Sequence, residues 1–100
     1  MKKLLLAITA TSLMTLGSAQ AASAEAGKSA YSTCVGCHGA AGEGGVGPAL
    51  AGRDTAEIAD LLKKYRAGEQ VGPMTSMMAP MAANLSDADI DNIAAYVNTL

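Results

Sequence analysis

Neither Phe nor Trp occurs in this 100-residue chain, whose only aromatic side chains are three Tyr: Tyr31, Tyr65 and Tyr96. Phe and Trp normally supply the largest single blocks of buried area in a small core. A chain this short already buries too small a share of its surface to be comfortably stable. The hydrophobic fraction of 50% overstates what is available, because much of it lies at the N-terminus in a segment that reads as disposable. The chain can form one small domain at most, and its core needs material from elsewhere.

Lys2 and Lys3 make a positive start, Leu4 to Leu16 run mostly apolar, and Gly17 to Ala21 end in small residues. This is the form of a secretory signal peptide. The expected layout is a leader over residues 1–21 and a single domain over 22–100, with cleavage fitting after Ala21 or after Ala24. The apolar stretch falls short of the roughly 20 residues a spanning helix needs, so no stable membrane insertion is expected. No Cys follows either cleavage site to carry a lipid anchor. The expected product is a soluble protein of the bacterial periplasm. Lys2 and Lys3 leave with the leader and no acidic residue does, so seven basic residues against nine acidic become five against nine. Nucleic acid and anionic membrane reward a basic face and are poor partners for such a chain. A partner protein with a basic docking patch fits better, although Lys63, Lys64 and Arg66 form a local basic cluster.

Three segments read as helices and none as a strand. The first runs from Ala24 to about Cys34, with Gly27 where a neighbouring backbone can come close. The second opens on Asp54 followed three residues later by Glu57, a capping-box spacing, and continues with Ile58, Leu61, Leu62 and Tyr65 at i, i+3, i+4, i+7. Asp60 is one turn from Lys64, and Gly68 stands where a glycine ends a helix. Ser86 and Asp89 cap the third, whose stripe is Ile90, Ile93, Ala94, Val97 and Leu100. Gly39 to Arg53 and Gly68 to Leu85 read as long irregular stretches, and in a small domain such stretches are usually functional or disordered. Gly42 to Gly47 formally match G-x-G-x-x-G, but no strand precedes them and no βαβ unit surrounds them, so they read as loop glycines.

Cys34-Val35-Gly36-Cys37-His38 is the strong chemical signal. Two thiols three residues apart lie on one side of a helical turn, where each can add to a vinyl group of one haem while the adjacent His38 faces the iron. Three other readings compete. A thioredoxin-like pair normally follows a strand; a zinc site needs about four ligands, and beyond two Cys and the only His the chain has just carboxylates; a structural disulfide would close too small a loop to add much stability. If His38 holds one face of the iron, the other can stay open for catalysis or gas binding, or be filled for electron transfer. Met74, Met77, Met78 and Met81 are the candidates to fill it, since a soft thioether raises the reduction potential. Most of the four must be ordinary flexible packing residues.

Over its whole mature length the chain resembles the small class I c-type cytochromes, especially the monohaem c-553-like proteins and single-domain relatives of cytochrome c4. Tyr31 to Gly39 resemble the family's haem-binding start, Gly47-Pro48-Ala49-Leu50-Ala51-Gly52 the segment after it, Leu61 to Gly68 its middle helix, and Leu85 to Ile90 through Tyr96 its last helix. The resemblance implies an all-α class I cytochrome c fold, three main helices packed around one covalent haem c. It implies thioethers at Cys34 and Cys37, His38 and Met78 as axial iron ligands, and a Pro48 carbonyl accepting the second ring proton of His38. It also implies a crossing of the first and last helices, with Gly27 and Tyr31 against Ile93, Tyr96 and Val97. Arg53, Tyr65 and Arg66 are candidates for the haem propionates or for plain surface roles. The stretch between His38 and Pro48 is shorter and richer in glycine than in many relatives.

The expected protein is therefore a periplasmic electron carrier and not an enzyme, passing single electrons between donor and acceptor proteins, as a monomer or weak homodimer. The alternative is a haem enzyme or gas sensor with an open sixth iron position. The shortage of core becomes a prediction. Without haem, the mature chain of under 80 residues is largely unfolded, and far-UV circular dichroism of the haem-free chain should show little helix and no cooperative melt.

Overall fold

The computed structural model describes residues 22–100, and the leader and its cleavage bond after Ala21 lie at or beyond that limit. Among the described residues there are helices and turns and no strand. Five helices follow in order: α1 (Ala24–Ala30), α2 (Val35–His38), α3 (Thr55–Arg66), α4 (Thr75–Ala82) and α5 (Asp87–Asn98), with a 3₁₀ turn over Tyr31–Thr33 between the first two. No helix among these residues is long and apolar enough to cross a membrane.

The ends of α3 and α5 are set by local chemistry. Asp54 accepts hydrogen bonds from the amides of Ala56 and Glu57 at 3.1 and 3.2 Å, satisfying two of the donors that a helix start leaves unpaired. Glu57 does not close the box; it pairs with Arg53 at 3.0 Å. Ser86 and Asp89 do exchange bonds, Asp89 N–H to Ser86 Oγ at 2.9 Å and Ser86 N–H to Asp89 Oδ2 at 3.0 Å. Lys64 reaches Asp60 at 3.2 Å, and Gly68 lies just past α3 at φ +80°, a conformation that favours glycine.

Two expectations are corrected. The first helix does not run unbroken to Cys34: it ends at Ala30, tightens through Tyr31–Thr33 and restarts at Val35. The stretch from Gly68 to Leu85 is also not wholly irregular, since it holds α4. Helix α4 escapes a reading by pattern because Met74 at its start makes no side-chain cap and Pro80 sits inside it, so neither a start signal nor an uninterrupted run marks it. Packing against α3 sustains it.

The core cluster is Tyr31, Ile58, Leu62, Ile90, Ile93, Ala94 and Val97. Helix α5 is its centre, covered by α1 on one side and α3 on the other. Burying an aliphatic side chain of this kind contributes about 1.5–3 kcal/mol. The α1/α5 crossing depends on a missing side chain. A Cβ at Gly27 would collide with the backbone carbonyl of Asn92 and come within 2.8 Å of Tyr96 Cβ. One turn along, the rings of Tyr31 and Tyr96 meet at 5.4 Å, tilted by 55°. Leu61 and Tyr65, from the predicted α3 stripe, are only half-buried and turn toward a cleft.

The end of α3 is tied to the start of α5 by Arg66, which donates to the Leu85 carbonyl at 3.1 Å and pairs with Asp87 at 2.7 Å. The hydrogen bond from Arg66, then its charge, holds the Asp87 carboxyl below the usual carboxylate range. A depressed pKa in the folded state stabilises the fold above the unfolded value of about 3.9 and ceases to do so as pH falls through the folded value. In Arg66→Ala, the Asp87 carboxyl should therefore titrate higher than in the native protein, as carboxyl NMR can check. Gly27→Ala should destabilise the haem-loaded protein by about 3 kcal/mol or more, because backbone must move to admit the methyl; thermal unfolding checks it.

Candidate haem site

Cys34 lies at the junction of the 3₁₀ segment and α2, and Cys37 and His38 form the last two residues of α2. Cys34 is the residue that begins α2, its carbonyl accepting from the His38 amide at 2.9 Å. This bond closes one helical turn over Cys34-Val35-Gly36-Cys37-His38, which is what places the thiols and imidazole on a common wall. No disulfide joins the two cysteines. Burial pushes the Cys34 thiol up from its ordinary value, against a smaller opposing effect of the Thr33 hydroxyl. A thiol oxidoreductase needs the opposite, an attacking sulfur whose pKa is lowered.

His38 is 6% exposed. Its Nδ1 lies 2.8 Å from the Pro48 carbonyl oxygen, so this nitrogen carries the proton and donates, and Nε2 is left with the lone pair. The loop that brings Pro48 there is laced to the same turn: Gly44 N–H donates to the His38 carbonyl at 2.7 Å and Gly47 N–H to the Cys37 carbonyl at 2.8 Å. Gly47 lies flat on the imidazole, where a Cβ would come within 2.6 Å of His38 Cε1. Gly47 was not singled out for this by sequence; its place directly before Pro48 was the available signal. The loop is anchored at its far end by Gly52 N–H to the Val97 carbonyl, 3.0 Å, and by Asn98 Nδ2 to the Arg53 carbonyl, 3.0 Å. Tyr31 adds a brace from the core, its hydroxyl donating to the Gly39 carbonyl at 2.8 Å.

All four residues expected to hold haem, Cys34, Cys37, His38 and Met78, line one cleft of about 260 Å³. Its other walls are Val46, Pro48 and Leu50 from the loop, Ile58, Leu61, Leu62 and Tyr65 from α3, and Met74, Met77, Met81, Ala82 and Leu85 from α4 and its flanks. The one Lys, Arg, Asp or Glu in the lining is Arg53, and it is paired with Glu57. The donor set and the apolar walls fit a large flat apolar ring tethered at two thiols with a nitrogen and a thioether available to its metal. Among the described residues no group of three or more His, Cys, Asp or Glu comes together to hold a metal ion directly, so the zinc reading lacks its remaining ligands.

The four methionines differ. Met74, Met77 and Met81 are 44%, 52% and 50% exposed, whereas Met78 is half-buried and packs against the core cluster. Of the three residues considered for the propionates, Arg53 and Tyr65 line the cleft. Arg66 does not; it is engaged by Leu85 and Asp87.

The family model for cytochrome c matches residues 24–100. Cytochrome c-554(548) of Halomonas halodenitrificans is 41% identical over 81 residues, covering 79% of this chain and 98% of that protein. Cytochrome c-554(547) of Halothiobacillus neapolitanus is 40% identical over 90 residues, 80% of this chain and 99% of that one. Cytochrome c-553 of Nitratidesulfovibrio vulgaris is 32% identical over 103 residues and covers both chains fully. Among solved structures, cytochrome c4 from Acidithiobacillus ferrooxidans is similar with a TM-score of 0.68 at 28% identity, and that from Pseudomonas stutzeri with 0.70 at 28%. These cover 79% and 77% of this chain and 50% and 47% of theirs, so the chain spans about half the length of each. With its helices, its Cys34-Cys37-His38 turn and an apolar cleft behind it, matched by that model and these relatives, the chain belongs to the cytochrome c family, electron carriers that hold haem covalently and are not enzymes.

Proposed function

We propose that this protein is a periplasmic monohaem cytochrome c, with His38 and Met78 as its axial ligands, that shuttles single electrons between a donor and an acceptor protein. The observation that carries the reading is the convergence of Cys34, Cys37, His38 and Met78 on one apolar cleft. When bound, haem supplies an iron that takes up and returns one electron. Cys34 and Cys37 tether the ring through thioether bonds. His38 would present Nε2 as a ligand, and its Nδ1 proton, held by the Pro48 carbonyl at 2.8 Å, fixes tautomer and ring plane.

Among the four methionines, burial supports Met78: it alone is both part of the cleft wall and packed on the core, while the other three are about half exposed. A thioether ligand favours the reduced metal and so raises the potential. Apolar walls make a charge change on the metal costlier to stabilise by water and keep the surrounding groups from reorganising. Pro80, inside α4 two residues after Met78, fixes one backbone angle of the segment. Export through the 1–21 leader places the carrier in the periplasm, where its partners are redox proteins.

Met78→Ala in the haem-loaded protein should lower the reduction potential and abolish the ferric thioether charge-transfer band. It should also convert a reduced protein that resists carbon monoxide into one that binds it rapidly. Spectroscopy and redox titration check this; an unchanged band and potential exclude Met78, and rapid carbon monoxide binding by the native protein favours the open-site reading.

A further inference from the structure

Helix α4 carries the proposed ligand Met78, yet little of its stability is its own. It has eight residues, no side-chain cap at Met74, and Pro80 within it. A helix of this length is marginal in water, and Pro80 has no N–H to return to the carbonyl one turn back. Something outside the helix must fix where its first turn begins. Thr75 is 5% exposed, one of two buried polar residues among those described, the other being His38. Its hydroxyl accepts from Val71 N–H at 2.9 Å and Gly72 N–H at 2.8 Å and donates to the Gly72 carbonyl at 2.7 Å. One donor and two acceptor sites are all a hydroxyl has, and all three are used. The same Gly72 carbonyl takes Gln70 Nε2 at 2.7 Å and Thr75 N–H at 3.2 Å, which closes the turn ahead of α4 into a knot centred on this side chain. Thr75 and Met78 are three residues apart, on neighbouring positions of one helical face.

We infer that Thr75 is a positioning residue for the axial thioether: its saturated hydroxyl sets the start of α4 and thereby holds the Met78 sulfur at the metal. The inference rests on the proposed His38/Met78 ligation. Valine has nearly the shape of threonine and none of its hydrogen-bonding capacity, so Thr75→Val strands the Val71 and Gly72 amides and lets the turn open. Serine retains the hydroxyl.

The test uses the haem-loaded ferric protein and imidazole as a competing ligand, whose entry requires Met78 to leave. Thr75→Val should take up imidazole about tenfold faster than the native protein, the factor set by loss of a buried hydrogen bond, and should show a weakened thioether charge-transfer band. Thr75→Ser should restore both. Gly27→Ala, which loosens the α1/α5 crossing far from this turn, should lower the melting temperature and leave the imidazole rate near native. In the unmodified protein, the Val71 and Gly72 amides should be protected from hydrogen exchange. A native imidazole rate and band in Thr75→Val, a Thr75→Ser variant as fast as Thr75→Val, or unprotected Val71 and Gly72 amides would each overturn the inference. Met78→Ala separates the two levels: if it keeps the band, the ligand assignment fails; if it loses the band while Thr75→Val behaves as native, only the role of Thr75 fails.

Discussion

The 2.8 Å hydrogen bond from His38 Nδ1 to the Pro48 carbonyl joins the two halves of the proximal side, and most of the local architecture can be read as what that bond requires. It needs the chain to reverse within ten residues and bring a carbonyl against the imidazole. Gly47 makes the approach sterically feasible, since any side chain there would strike the ring. The amides of Gly44 and Gly47 then bond back to the carbonyls of His38 and Cys37, so the loop and the haem-binding turn become one backbone network. Gly52 and Arg53 fasten that network to the end of α5, and Tyr31 fastens it to the core.

The opposite wall of the cleft is built on different terms. Helix α4 is held by packing against α3 and by the turn around Thr75 rather than by its own caps. Under the proposed ligation, the His38 side is held by a network of backbone bonds, while the Met78 side rests on a single neutral thioether. The uncapped helix and the saturated hydroxyl of Thr75 are the features on which the inferred positioning of Met78 rests. The core beneath, centred on Ile90, Ile93 and Val97, supports both walls, and Arg66 joins α3 to α5 near the second of them.

The readability of the elements follows from how local their determinants are. Helices α3 and α5 announce themselves through Asp54, Ser86 and Asp89 and through stripes of Ile, Leu and Val, all within one or two turns. The break after Ala30 has no such marker: the chain tightens to 3₁₀ where Tyr31 packs in the core against α5. Helix α4 lacks a cap and contains Pro80, so only its contacts with α3 make it a helix. The capping box expected at Asp54 is half formed because Arg53, one residue earlier, captures Glu57.

The chemistry is legible in the residues alone: the thiols of Cys34 and Cys37, the one imidazole, a choice of four thioethers, and a deficit of aromatic bulk that called for a cofactor. These are matters of residue identity and short spacing, which need no fold to be read. Which surfaces meet became visible in the folded chain. It brought Pro48 and Gly47 onto His38, set Gly27 against the Asn92 carbonyl, engaged Arg66 with Leu85 and Asp87, and packed Met78 on the core while leaving Met74, Met77 and Met81 about half exposed. Each of these depends on how segments distant in sequence pack and bond together, and no local pattern encodes that.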